Sequence, residues 1–447
     1  MRRGLRALLG CLVLLCAGTG RAGARAQQDA ERGGDAATRL FNQANQAFQQ
    51  GKVDEAIAEY RQVLEMRPND PAALGNLATA LDAEGKYGEA IADLNSAAAL
   101  KPNDPGIEYN LALTLYHAKK YQESAKVYQR LLNRSPNSAE AWNGYGAVLF
   151  ALGNVDTAIG DYRKALALKP AYADALNNLG AAFAAKQQWD DALQAYQQAL
   201  ALKPNDIEIL ENQAFALQQA GRADDSIRVY RQITASHPND ANLWLQIGQQ
   251  LYAQERVGEA IENFQKSLAL KPDQPDLEFN LAQAYADENK YADAIAAYRK
   301  GLALAPNSTF AYYNLGVALY NNNQLKEAVA SFRKALELQP DSPEALSGLG
   351  SALTALADLD GAEDAFTRLI AARPDDWGAR YSLGNVLYTH AKYAAAATRF
   401  RECIQMNPAF AQAHYNLGLC LRQLKDPDGA AKELAEAHRL DPKLPAK

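Results

Sequence analysis

Proline recurs at a single interval along most of this chain. Twelve of its 18 prolines stand at Pro68, Pro102, Pro136, Pro170, Pro204, Pro238, Pro272, Pro306, Pro340, Pro374, Pro408 and Pro442, each 34 residues after the last. A period of that size, kept without insertion or deletion, means stacked copies of one supersecondary unit, because every copy must present the same face to the next. It excludes a lone globule and a row of unrelated domains. With the proline at position 32, twelve units run from Ala37 to Leu444.

The residue types within a unit point to two antiparallel helices. Position 8 is Gly or Ala in every unit, and position 20 is Ala in ten, with Ser124 and Ser226 in the other two. Small residues at two facing points let two helix backbones approach closely. Position 24 is aromatic in ten units, including Tyr60, Tyr128, Tyr196, Phe264, Phe332 and Phe400, and supplies the apolar area that the small positions lack. Leucine-type residues at 4, 7 and 11 complete a stripe on the first helix.

Gly51, Gly85, Gly153, Gly221, Asn289 and Asn323, near position 15, suit the left-handed turn after a helix end. The repeating proline stops the second helix, and Asn-Asp or Asp-Ser behind it caps the next first helix. Lys101, Lys169, Lys203 and Lys271 at position 31 suit the negative end of a helix dipole, and Glu140, Asp174, Glu208, Asp276 and Glu344 at position 2 the positive end. These charges call for no functional explanation.

Residues 1–26 read differently. Arg2, Arg3 and Arg6 precede the apolar run from Leu8 to Ala17, followed by small residues ending in Ala24-Arg25-Ala26. That is the pattern of a secretory signal peptide with an A-x-A cleavage site, and the run is shorter than the roughly 20 residues a membrane-spanning helix needs. The expected mature chain therefore has no transmembrane span and starts at Gln27. It comprises a polar segment, 27–36, the repeats, 37–444, and a tail, 445–447. Cleavage removes five arginines and no acid, taking the net charge from −6 to −11, which argues against nucleic acid as a partner. It also removes Cys11 and Cys16. Cys403 and Cys420 then remain, either as small core residues or as a possible disulfide, in a compartment that permits one. The expected location is the bacterial periplasm, otherwise the exterior.

The unit resembles the tetratricopeptide repeat, whose W-x2-L-G-x2-Y, A-x3-F and P pattern is met by Trp142, Gly146, Ala158, Tyr162 and Pro170. The resemblance implies an all-α fold, an α-solenoid built as a right-handed superhelix of antiparallel helix pairs. It also implies that the first helices line a concave groove and the second helices face outward.

Catalysis has little to stand on. His117, His237, His390, His414 and His438 share no ligand spacing, and no H-x3-H, C-x2-C or glycine-rich phosphate loop occurs. A non-enzymatic protein is expected, with no cofactor and no metal.

The family directs positions 2, 5, 6, 9, 12 and 13 of each first helix into the groove. Position 6 is Asn in eight units, Asn42, Asn76, Asn110, Asn178, Asn212, Asn280, Asn314 and Asn416, and Gln246 in a ninth. A side-chain amide donates and accepts, so it can pair with the backbone of an extended ligand whatever its sequence. The ladder resembles that of the sugar-transferase repeats, which grips extended polypeptide; family habit copied by duplication is the other reading.

Aromatic residues flank the ladder at positions 5 and 12: Phe41, Phe48, Tyr109, Tyr116, Phe150, Tyr252, Phe279, Tyr313, Tyr320, Tyr381, Tyr388 and Tyr415. They suit peptide side chains or sugar rings, or else packing between helices. Arg422 stands almost alone as a basic groove residue, against the Lys and Arg of a carboxylate clamp, while Asp82, Glu211 and Asp287 point to a neutral or basic ligand. The expected function is an adaptor that binds an extended segment of a cell-envelope protein. The alternative is a structural scaffold for polysaccharide export or envelope assembly, with glycan in the groove.

Overall fold

The computed structural model describes residues 27–445, with side chains from residue 36 onward. The expected signal peptide, with Cys11 and Cys16, lies outside the described residues. Among the described residues there are 24 helices, α1–α24, and no strand. Odd numbers are the first helices of the repeats and even numbers the second. α1 (Gln27–Gln49) starts upstream of Ala37, so the polar segment continues the first helix backward. Thereafter the pattern set by α3 (Pro71–Ala83) and α4 (Tyr87–Leu100), 13 and 14 residues long, is kept without exception.

The local chemistry explains this regularity. Position 34 supplies the cap of most first helices: the Asp70 carboxylate accepts from the N–H groups of Ala72 and Ala73, and Ser138 and Ser308 act likewise. Position 15 is left-handed in all twelve repeats. To the glycines and Asn289 and Asn323 the structure adds Lys119, Gln187, Glu255, Ala357, Ala391 and Lys425, each near φ +60°. There the turn geometry overrides residue preference. The charges at positions 31 and 2 meet each other as well as the helix ends: Lys169 Nζ lies 3.0 Å from Glu140 and Lys203 Nζ 2.6 Å from Asp174.

The core lies between the two helices of each repeat. Position 24 rings such as Tyr60, Phe264, Phe332 and Phe400 are essentially fully buried. Phe332 sits so close to Gly316 that a Cβ there would meet its ring at 2.6 Å. Ser124 and Ser226 fit among the alanines of position 20 because each hydroxyl donates to the position 8 carbonyl, Ala112 at 2.6 Å and Ala214 at 2.7 Å. The stripe at position 4 is less uniform than expected. Glu108, Arg380 and His414 stand there and pair with the second helix of their own repeat, on Arg134, Glu402 and Glu433.

The chain divides into two compact units, Met1–Ile233 and Thr234–Lys447. In the first, successive first helices touch: α1, α3, α5 (Pro105–His117), α7 (Ala139–Ala151), α9 (Ala173–Ala185) and α11 (Ile207–Gln219). In the second, α15 (Pro275–Asp287), α17 (Thr309–Asn321) and α19 (Pro343–Ala355) touch in turn, as do α21 (Trp377–Thr389) and α23 (Ala411–Gln423). Second helices make no comparable contact with one another among the described residues. Within each unit the first helices are therefore the more closely packed side. No described helix is long and apolar enough to cross a membrane.

Candidate functional site

The position 6 amides divide into two groups. In the first, the Asn76 Nδ2 group donates to Asn45 Oδ1 at 2.8 Å, and the Tyr60 hydroxyl donates to the same oxygen at 2.6 Å. Asn416 donates to Asn385 Oδ1 at 2.8 Å and to the Tyr381 hydroxyl oxygen at 3.2 Å. Asn178 donates to Asn143 at 2.9 Å and Asn212 to Asn177 at 3.0 Å. Each bond donated by these four asparagines joins one first helix to the first helix before it, so they link repeats.

The second group stays open. Asn42, Asn110, Asn280 and Gln246 make no side-chain hydrogen bond among the described residues, and Asn42 and Asn280 are exposed. Asn314 turns back along its own helix to the Phe310 carbonyl at 3.0 Å.

The position 5 aromatics belong largely to the core. Phe41, Tyr109, Phe279, Tyr313 and Tyr381 each stack against the position 24 ring of their own repeat, with centroids 5.8–6.4 Å apart. Phe279 is 7% exposed, and its ring fills the space above Gly301. It is a core residue with one edge at the surface rather than a groove residue. At position 12, Tyr116 packs on Tyr121 and Tyr388 on Tyr393, and burial pushes the Tyr116 hydroxyl up to about 12. Phe48 and Phe150 pack partly buried against the core. Tyr415 is half-buried, and Tyr320, 37% exposed, is the most open of the predicted groove tyrosines.

The groove acids Asp82 and Asp287 are occupied internally. Asp82 holds His117 Nδ1 at 2.7 Å. Asp287 accepts from Gln283 at 2.8 Å and from the Tyr252 hydroxyl. Burial, followed by this bond, raises the Tyr252 hydroxyl to about 12. Cys403 and Cys420 are free, fully buried thiols rather than a bridge, and burial raises both to about 11. Their role here is packing.

In the second unit the start of α15 and the link into α17 enclose a cleft of about 600 Å³, lined by Asp276, Phe279, Asn280, Pro306, Asn307 and Phe310 together with Ala305 and Ser308. Three of its residues occupy positions 2, 5 and 6 of repeat eight. Phe310, 58% exposed, presents more surface than any other large apolar side chain among the described residues. Position 2 was among the groove positions expected from sequence, but Phe310 was not among the residues named there. The available signal was its type: at position 2 the other repeats carry Thr, Ala, Gly, Asn, Gln or an acid, and Phe310 alone is large and apolar. The cleft thus joins an open amide, a carboxylate and an exposed ring on the first-helix side.

Models described as tetratricopeptide repeat match residues 41–105, 279–343, 313–377, 347–392 and 381–445, and others 173–206 and 81–148. A model described as TPR repeat matches 146–187 and 248–288. The chain belongs to the tetratricopeptide repeat family. As such a protein it is a repeat scaffold of the kind that mediates protein–protein interaction.

No curated protein matches this tetratricopeptide repeat chain. Among solved structures it is similar to the APC/C hetero-tetramer Cut9-Hcn1, with 18% identity, 91% of this chain and 94% of that one covered, and a TM-score of 0.38. It is also similar to YrrB, described as a TPR protein with an unusual peptide-binding site, at 25% identity, 41% and 94% coverage and TM-score 0.38. A tetratricopeptide repeat protein from Parabacteroides merdae matches at 19% identity, 56% and 99% coverage and TM-score 0.43. At those TM-scores the likeness supports no transfer of function.

Proposed function

We propose that this protein is a non-enzymatic adaptor, exported to the cell envelope, that binds an extended polypeptide segment on the first-helix side of its second unit. The observation that carries the reading is the cleft itself. Phe310 leaves a large apolar ring in water at its edge, and Asn280 keeps both amide functions free beside it. An extended segment can set an apolar side chain against Phe310 while its backbone pairs with Asn280. Asp276 in the same lining favours a basic or neutral segment over an acidic one. Export rests on the sequence of residues 1–26.

A scaffold contacting polysaccharide is the second reading. It draws on Trp377, 38% exposed, which stacks on Phe410 at 4.8 Å, with Tyr381 on the same ring at 4.8 Å.

Selection of extended peptides on the purified protein, followed by titration, tests the first reading. The combined change Asn280→Ala and Phe310→Ala is expected to weaken the selected peptides by about 1.4–2.8 kcal/mol, ten- to a hundredfold. Unchanged peptide affinity sinks it, and glycan binding lost with Trp377→Ala puts the second reading in its place.

A further inference from the structure

The twelve units disagree sharply at one core position. At position 21 eleven carry an apolar residue; Ile57, Ile159, Leu193, Ile227, Ile261 and Ile295 are each at most 8% exposed. Repeat ten alone has a charge there, Glu363, on α20 (Leu359–Ala372). A carboxylate in place of a buried aliphatic gives up apolar burial and adds desolvation, so the position must gain something in return.

The following repeat is unusual at the position that faces it. Position 14 of one repeat lies beside position 18 of the repeat before, as the 2.5 Å ion pair of Lys186 with Asp156 shows. In repeat eleven position 14 is His390, the sole histidine at this position in the twelve units. Its Nδ1 lies 3.8 Å from Asp360 Oδ1 and 3.9 Å from Glu363 Oε2, beyond hydrogen-bond reach. That nitrogen is buried and has no hydrogen-bond partner. One donor atom from each of the three residues lies within 4.8 Å of the others.

Two ordinary roles account for part of this arrangement. Asp360 is an acid in the first turn of α20, where the helix dipole favours it. Lys392 Nζ holds Glu363 Oε2 at 2.8 Å. Lysines at the same position, Lys52, Lys86, Lys120 and Lys290, find acids at Glu55, Glu84, Glu123 and Glu288 without any charge at position 21. Neither role explains a histidine turned toward two carboxylates with its near nitrogen unsatisfied.

We propose that Asp360, Glu363 and His390 form a surface site for a divalent transition ion of the zinc type, with water completing its coordination. Bonds of about 2.0–2.2 Å set donors about 3.4 Å apart around a tetrahedral ion, so His390 Nδ1 closes on each carboxylate oxygen by a few tenths of an ångström, while the two carboxylates draw together from within 4.8 Å. Imidazole nitrogen selects zinc and its neighbours over magnesium and calcium, which prefer oxygen alone. Lys392, which holds Glu363 Oε2, shifts to the other oxygen of that carboxylate or withdraws to water.

Calorimetric titration of the whole protein with Zn2+ tests the site, using variants that copy residues the repeats already accommodate. Glu363→Ile installs the usual residue of position 21, and His390→Asn copies Asn322 of repeat nine. The wild type is expected to take up one Zn2+ saturably, and each variant to bind it about tenfold or more weakly with its thermal unfolding in metal-free buffer undiminished. No saturable binding below on the order of 1 mM, or equal binding in wild type and both variants, overturns the site and leaves Glu363 as the partner of Lys392 only. Magnesium bound as tightly as zinc overturns the assignment of the ion.

Discussion

Glu278 shows how a single residue departs from the register of its repeat. It occupies position 4 of repeat eight, where repeats two, five, six and ten carry Leu74, Leu176, Leu210 and Leu346. It is 7% exposed, and its Oε2 is buried without a partner. Burial raises its carboxyl above the ordinary value of 4.5, and Lys300 opposes that only in part. A raised folded value means that the native state holds the proton more tightly than the unfolded chain does. The side chain's favourable contribution is therefore complete below pH 4.5 and is lost as the pH rises through the folded value. Glu278→Leu is expected to stabilise the protein by about 1 kcal/mol at neutral pH and by less near pH 4, read from denaturant midpoints at the two pH values. A gain independent of pH contradicts this origin. The sequence marked position 4 as apolar from the majority of units. The exceptions, Glu108, Glu278, Arg380 and His414, were visible as types, but the second-helix partners of Glu108, Arg380 and His414 were not.

At the scale of the helix the proline period, the position 34 caps and the small residue at position 8 settled where each element starts, ends and packs. These depend only on neighbours within one unit, so the repeat pattern contains them. Left-handed Ala357 and Ala391 escaped notice because nothing in an alanine announces φ near +60°; only their place at position 15 does. The asparagine ladder was legible as a pattern but not as a set of bonds. Its partners lie 31 or 35 residues back, as in Asn76 with Asn45 and Asn178 with Asn143, and which register is used depends on where the previous helix places its own amide. Asn416→Ala is expected to cost about 0.5–1.5 kcal/mol, because it removes a bond between helices. Asn280→Ala is expected to be neutral or to gain up to about 0.7 kcal/mol, since alanine is the better helix former. Thermal unfolding of the two variants decides; equal losses would mean that Asn280 is structural as well.

At the scale of the whole molecule, twelve near-identical units leave function to the few positions where they differ. Phe310, Asn280 and Asp276 differ from their counterparts in type, in bonding or in exposure, and they meet in one cleft. Glu363 and His390 differ on the other helix surface. Much of the aromatic lining expected for the groove is instead occupied in holding first helices to second helices, as Phe279 and Tyr381 show. Composition and spacing could not reveal this, because a position 5 ring can turn toward solvent or toward position 24 with the same periodicity. The central claim is that polypeptide is bound on the first-helix side at the Phe310 cleft. A photo-crosslinking residue at position 280, compared in cells making the protein with the same residue at position 296 in place of the exposed Ala296 of α16 (Tyr291–Leu304), tests it most directly. Adducts to another polypeptide from position 280 and none from position 296 are the predicted result. Adducts from position 296 alone, or none from position 280, would contradict the account.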